Sequence, residues 1–369
     1  YEIRLSLVGA EMCIRDRTMP FPLNDLMFMN PVYCLPAALF TCVLLSATAA
    51  SLHAETAYST PCGYIQTDLN AKTTGYLGLG VHPEALMQHT LEENNITVSG
   101  SKITITDPDV NFTDLMETDS AYVLELIFGD EAMALPLNRD AWKKPAPSWT
   151  ANKITVDDKS AADLIKNSKP VSYVLRKART LNDVLGGDNT FSLKSGTSGT
   201  ADAVYISTSP SIQIPVYHSA TENKWMRRGS RDDMGLLPVF NHEPLKIVRK
   251  AGNGVQAFVI GEVAQKHQRL QLSQESTLLH TGLPVPQTLL STSLHTALPD
   301  PSSDVVYVPL TPGGPLEPCY YDSSSGQWKN RDTGENVSST AVEGILNILS
   351  VTRLPAYTTV QTNTLPTPQ

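Results

Sequence analysis

Charge is scarce in this chain. Asp, Glu, Lys and Arg together make 18% of 369 residues, below the ~25% usual for soluble domains. Basic residues are the scarcer sign, 28 against 37 acidic, for a net charge of −9. That balance excludes the phosphate-neutralising surface on which nucleic-acid binding depends. Cysteines number five, with no C-x-x-C and no Cys/His spacing of the zinc-site kind, which excludes a zinc ribbon or a dithiol redox motif. Long apolar runs are absent but for one near the start, which excludes a polytopic helical membrane protein. G-x-S-x-G does not occur, so the strained turn of a nucleophile elbow is missing. Gly196-Thr-Ser198-Gly199 has a similar composition at the wrong spacing. His242-Glu243 is followed by Pro244, which breaks the helix an H-E-x-x-H zinc site needs.

Targeting segments come off before the fold is considered. Tyr1 to Arg17, YEIRLSLVGAEMCIRDR, resembles translated sequencing-adapter read-through, which places a native start at Met19, Met27 or Met29. Leu35 to Ala50, LPAALFTCVLLSATAA, is apolar and ends in small residues, with A-x-A at Ala47 and Ala49 and a second cleavage option at Leu52-His53-Ala54. It is shorter than the ~20 residues of a spanning helix and reads as a secretory signal. Residues 19–54 are therefore assigned to export, and no transmembrane segment is expected in the mature chain. Removing residues 1–54 leaves 25 basic and 33 acidic residues, a charge of −8. It also leaves two cysteines, Cys62 and Cys319. In an oxidising compartment these could bridge, or they could be two separate buried thiols; spacing does not decide.

Proline is abundant, 26 residues, and short β-branched or alternating runs recur between turn residues. They are Ile96–Val98, Ile103–Thr106, Tyr122–Phe128, Ile154–Val156, Val171–Leu175, Val204–Ile206, Ile212–Tyr217, Leu245–Val248, Gln256–Ile260 and Val305–Val308. This pattern predicts a mainly β chain of sandwich or barrel-like units. A few short helices are expected, with signals over Asp157–Asn167 and at Thr180-Leu-Asn-Asp183, the latter a capping box closed by Gly186-Gly187. Ser195 to Thr200, SGTSGT, reads as a flexible junction. The division expected is a β-rich domain over 55–194 and two β units over 201–300 and 301–369.

The last two units carry an internal repeat. Pro215-Val-Tyr217, Trp225 and Arg228 match Pro318-Cys-Tyr320, Trp328 and Arg331 as P-x-Y-x7-W-x2-R; Asp202-Ala-Val-Tyr205-Ile matches Asp304-Val-Val-Tyr307-Val; Leu245-x-x-Val248-x-Lys250 matches Ile348-x-x-Val351-x-Arg353. Each Pro and Tyr suits the start of a strand and each Trp the return strand of a hairpin. Tyr217, Trp225, Arg228, Tyr320, Trp328 and Arg331 could form an aromatic platform for a sugar or peptide. The reading that aromatic pairs in sheets favour is a core or cross-strand pair that holds each hairpin together.

Asp107, Asp109, Asn111 and Asp114 form a D-x-D-x-N set with a further Asp, the oxygen-rich pattern a calcium ion takes; an EF-hand would need Gly and Glu where Phe112 and Thr118 stand. The alternative is a solvated turn of Asx residues. Arg227-Arg228-Gly-Ser-Arg231 could hold a sulfate or uronate, but Asp232 and Asp233 follow and neutralise it. Two carboxylates of a glycosidase could lie anywhere in the chain, since their spacing is spatial.

Thr60-Pro-Cys-Gly-Tyr-Ile65, the strand Val171 to Lys177 leading into Thr180-Leu181, and the Tyr…Trp-x-x-Arg hairpin followed by Leu245 to Arg249 resemble an uncharacterised family of exported β-rich proteins described from Verrucomicrobia-type bacteria. The resemblance spans most of residues 58–353. It implies export and β architecture and assigns no activity. Together these features predict an exported, periplasmic, surface or extracellular bacterial protein that acts by binding or assembly, without catalysis, on a glycan or cell-envelope component. The competing expectation is a secreted carbohydrate-active enzyme or its binding module, with the Tyr and Trp rings as its platform.

Overall fold

In the computed structural model the described residues are 61–369, apart from 144–146, 210–211, 251, 273–275, 281–286, 293, 297, 299–303, 311–315, 343–344, 351–355 and 361–369. The scar and export segments expected over 1–54 lie outside them. Residues 61–369 form one compact unit. It is mainly β, in several open sheets rather than a closed barrel, and among the described residues every strand ladder but one is antiparallel.

All ten expected strands are present; Lys102–Thr106 buries alternate side chains, whereas Tyr122–Phe128 and Ser172–Lys177 are buried on both faces over four or more consecutive residues. Ile103 and Ile105, Leu124 and Leu126, and Val204 and Ile206 are all core residues. Both expected helices form. Asp158 caps Lys159–Asn167, its carboxylate accepting from the Ala161 N–H at 2.9 Å. Thr180 and Asp183 make the reciprocal capping box of Leu181–Leu185. Gly186 ends that helix at φ +79°, and a Cβ there would run into Thr190.

Two five-stranded sheets share one strand order. The first runs Lys224–Arg227, Ile212–Ser219, Ala203–Ser209, Leu245–Val248, Thr74–Leu77; the second runs Gln327–Asn330, Leu316–Asp322, Asp304–Pro309, Ile345–Ser350, Ser276–His280. Registers agree as well. Tyr205 lies opposite Pro215 as Tyr307 lies opposite Pro318. The Arg228 N–H donates to the Pro215 carbonyl at 2.9 Å, and that of Arg331 to Pro318 at 2.8 Å. One part of the expected match needs correction. Val204 lies opposite Ile247 and Val306 opposite Ile348, so Ile247, not Leu245, is the counterpart of Ile348.

The correspondence extends beyond the sequence repeat. Cys62–Leu69 pairs with Val255–Val263, and His267–Leu272 pairs with Ala356–Val360. The small ladder Arg179–Thr180 with Pro238–Val239 has its counterpart in Gln287–Thr288 with Ala341–Val342. One unit therefore comprises residues 61–82 and 179–263, the other 267–360. Residues 85–177 interrupt the first as a two-sheet sandwich. Its core joins Ile103, Ile105 and Ile154 of one sheet to Leu124, Leu126 and Tyr173 of the other. The segment 55–194 is thus shared between this insert and the first unit, whose strand Thr74–Leu77 borders Leu245–Val248. Ser195–Thr200 is tied down rather than a free junction: the Gly196 N–H donates to the His218 carbonyl at 3.1 Å and the Ala220 N–H to the Gly196 carbonyl at 3.3 Å.

Candidate functional site

The two hairpins bring Trp inward. Trp225 pairs across the ladder with His218, and Trp328 with Tyr321, one residue beyond Tyr217 and Tyr320 respectively. Successive side chains face opposite sides of a sheet, so each Trp shares a face with the neighbour of its motif Tyr. Trp225 is 1% exposed and Trp328 0%, which corrects the platform reading: these rings are core. The Trp225 ring sits edge-on to His218 at 5.2 Å, and the Trp328 ring edge-on to Tyr321 at 5.6 Å. Trp225 Nε1–H donates to the Gly186 carbonyl at 2.7 Å. Tyr217 and Tyr320 are half-buried on the opposite faces, Arg228 reaches the Ala201 carbonyl at 3.2 Å, and Arg331 is exposed.

The acidic loop divides in two. Asp107 is fully buried and acts as an acceptor hub: its Oδ2 takes the Tyr173 hydroxyl at 2.7 Å and faces His89 Nδ1 at 2.5 Å, while Oδ1 takes the Asp109 N–H at 3.1 Å. Burial works against the ionised carboxylate, yet the Tyr173, His89 and Asp109 hydrogen bonds hold it below the usual Asp range. Burial and the Asp107 charge push the Tyr173 hydroxyl up. Asn111 and Asp114 belong elsewhere. Asn111 caps Phe112–Leu115 by accepting from the Thr113 N–H at 3.3 Å, and its Nδ2 donates to Asp114 at 2.7 Å. The four oxygen donors expected to share a calcium ion therefore do not converge. Asp107 and Asp109 instead gather with His89, their ligand atoms within 4.8 Å of one another. His89 carries no motif; only its place opposite Tyr173 in the ladder brings it here.

A serine and a histidine also meet. Ser195 Oγ lies 2.9 Å from His218 Nδ1 and accepts from Asn189 Nδ2 at 3.0 Å. Asn189 Nδ2 also holds the Leu193 carbonyl at 2.5 Å, so the group fastens loop 189–196 onto the strand Ile212–Ser219.

Cys62 and Cys319 do not bridge: Cys62 is exposed and Cys319 buried, so of the two alternatives the separate thiols hold, with only Cys319 in the core. Cys319 lies opposite Val306 in the core of the second unit, and burial, with the Glu317 charge, pushes its thiol up to about 12.

What the first unit does present is an apolar face on the sheet of Cys62–Leu69 and Val255–Val263. Tyr64 is 57% exposed, Phe258 47% and Ile260 71%. Tyr64 lies opposite Ile260, Gln66 opposite Phe258, and the Tyr64 and Phe258 rings sit 6.2 Å apart. No family model, curated protein or solved structure matches the chain. Single exposed apolar residues are ordinary; here three stand together on one sheet face. The sequence signal that could have found it is the apolar residue at every second position, Phe258 and Ile260, in a strand whose intervening residues Ala257 and Val259 also read as core.

Proposed function

We propose that this is an exported protein of the bacterial envelope, surface or surrounding matrix that acts by binding and assembly, built on a duplicated β unit. One observation carries the binding reading: Tyr64, Phe258 and Ile260 form an exposed apolar face, whereas the Trp, Asp107 and Ser195–His218 groups are engaged in holding the fold. The export segment at 35–50 and the shared strand order support the address and the architecture. The ligand class is an envelope component or glycan whose apolar surface can lie against these side chains.

The test is cosedimentation of the full chain with envelope fractions and immobilised glycans, against a Tyr64→Ser/Phe258→Ser variant. Binding that falls at least about tenfold in the variant, with its melting temperature retained, supports the reading. Equal binding by both proteins, or none by either, contradicts it.

A further inference from the structure

The strand Cys62–Leu69 lies at the end of its sheet, with Val255–Val263 on one side only. Its counterpart in the second unit, His267–Leu272, has Ala356–Val360 on one side and Glu131–Leu137 on the other, the latter in parallel. The parity of the two edges is the same. In the first unit, Val263 N–H donates to the Pro61 carbonyl at 2.8 Å, so alternate residues from Pro61 face Val255–Val263. The backbone groups of Tyr64, Gln66 and Asp68 then point away from it. In the second unit His267, the counterpart of Tyr64, points its N–H to the Asp130 carbonyl at 2.9 Å. Arg269, the counterpart of Gln66, adds an ion pair to Glu131. The same row of donors and acceptors is thus filled in one unit and, among the described residues, unfilled in the other.

The unfilled edge lacks the features that ordinarily keep edges apart. Cys62–Leu69 runs eight residues with no Lys, no Pro and a regular register along its whole length, and Asp68 is its one charged residue. Beside it stand the exposed Tyr64, Phe258 and Ile260. We propose that this edge pairs with the same edge of a second copy of the chain, antiparallel about a two-fold axis. Such pairing is self-complementary, because Tyr64, Gln66 and Asp68 each offer one donor and one acceptor on the same side, and closed two-fold dimers are the commonest assemblies. The two three-stranded sheets become one, and the two apolar faces become a single continuous surface. The proposal deepens the assembly part of the function above. A chain that binds the envelope as a monomer defeats the dimer alone, and a dimer that binds nothing defeats the binding alone.

The experiment is sedimentation of the full chain over a range of concentrations, with hydrogen exchange at the two extremes. A reversible dimer is expected, with the Tyr64, Gln66 and Asp68 amides slowing as it forms. Gln66→Pro removes an outward N–H and leaves the existing ladder intact, and should raise the dissociation constant at least about tenfold with the melting temperature retained. Gln66→Lys should act in the same direction and serves if the proline variant fails to fold. A chain that stays monomeric overturns the proposal. So does a dimer indifferent to both folded variants, or amides equally protected in the monomer.

Discussion

Arg249 Nε lies 2.7 Å from Asp202 Oδ2, and both side chains are 1% exposed. The pair is a junction of the first unit. Asp202 also accepts the Lys194 N–H at 2.9 Å and the Lys250 N–H at 2.6 Å, while Arg249 donates to the carbonyls of Leu69 and Asn253, each at 3.0 Å. One contact thus fastens the end of Cys62–Leu69 to segments more than a hundred residues away. Removing either partner strands a buried charge, so Asp202→Ala and Arg249→Ala should each cost about 3–5 kcal/mol in chemical denaturation. The double variant should cost less than the sum of the two.

The tryptophans give a paired prediction. Both are core, so Trp→Ala at either position should cost about 3–5 kcal/mol. The Trp225 ring nitrogen donates to the Gly186 carbonyl, whereas among the described residues Trp328 Nε1 has no partner. Trp225→Phe should therefore be the more destabilising of the two Phe substitutions, by about 1 kcal/mol. Equal losses in denaturation would contradict the difference.

Acid should expose two sites in turn. His82 is buried, neither ring nitrogen has a partner among the described residues, and burial followed by the charges of His242, Arg176 and Arg179 holds its pKa well below the usual His range. Below pH ~6.5 the unfolded chain takes up a proton that the folded site refuses, so stability falls as pH drops from there. His82→Leu should flatten that part of the stability profile. The Asp107 carboxyl is also held low, so its contribution is full above pH ~3.9 and is lost as pH falls through the lower folded value. Tyr173→Phe removes one bond to that carboxylate and should cost about 1.5–3 kcal/mol near neutral pH, measured by denaturation.

Thiol mapping separates the two cysteines. Alkylation of the native protein followed by peptide mass analysis should label Cys62 and spare Cys319, whose thiol is buried and pushed up to about 12. A Cys62–Cys319 linked peptide would contradict the structure.

Strands with clean alternation could be read from the residues, as Ile103/Ile105 and Val204/Ile206 show. So could both capped helices, because Asp158 and Thr180 act locally. His267–Leu272 and Glu131–Leu137 could not. The first, HQRLQL, buries Gln268 as well as Leu270, and the second, EAMALPL, is rich in residues that favour helices. Their strand state comes from tertiary pairing, which also hid the full extent of the repeat: the insert at 85–177 separates Thr74–Leu77 from the strand it borders by well over a hundred residues. The site suffered from a different limit. Motif spacing placed Tyr217 and Trp225 together, but cross-strand register gave Trp225 to His218. Asp109 and Asn111 are neighbours in sequence, yet one lies with His89 and the other caps a helix.

Intact-mass analysis of the protein recovered from fractionated bacterial cells tests most directly whether the chain works outside the cytosol. The account predicts a periplasmic, surface-bound or extracellular protein that has lost the 35–50 segment. A cytosolic protein that keeps residues 35–54 would contradict it.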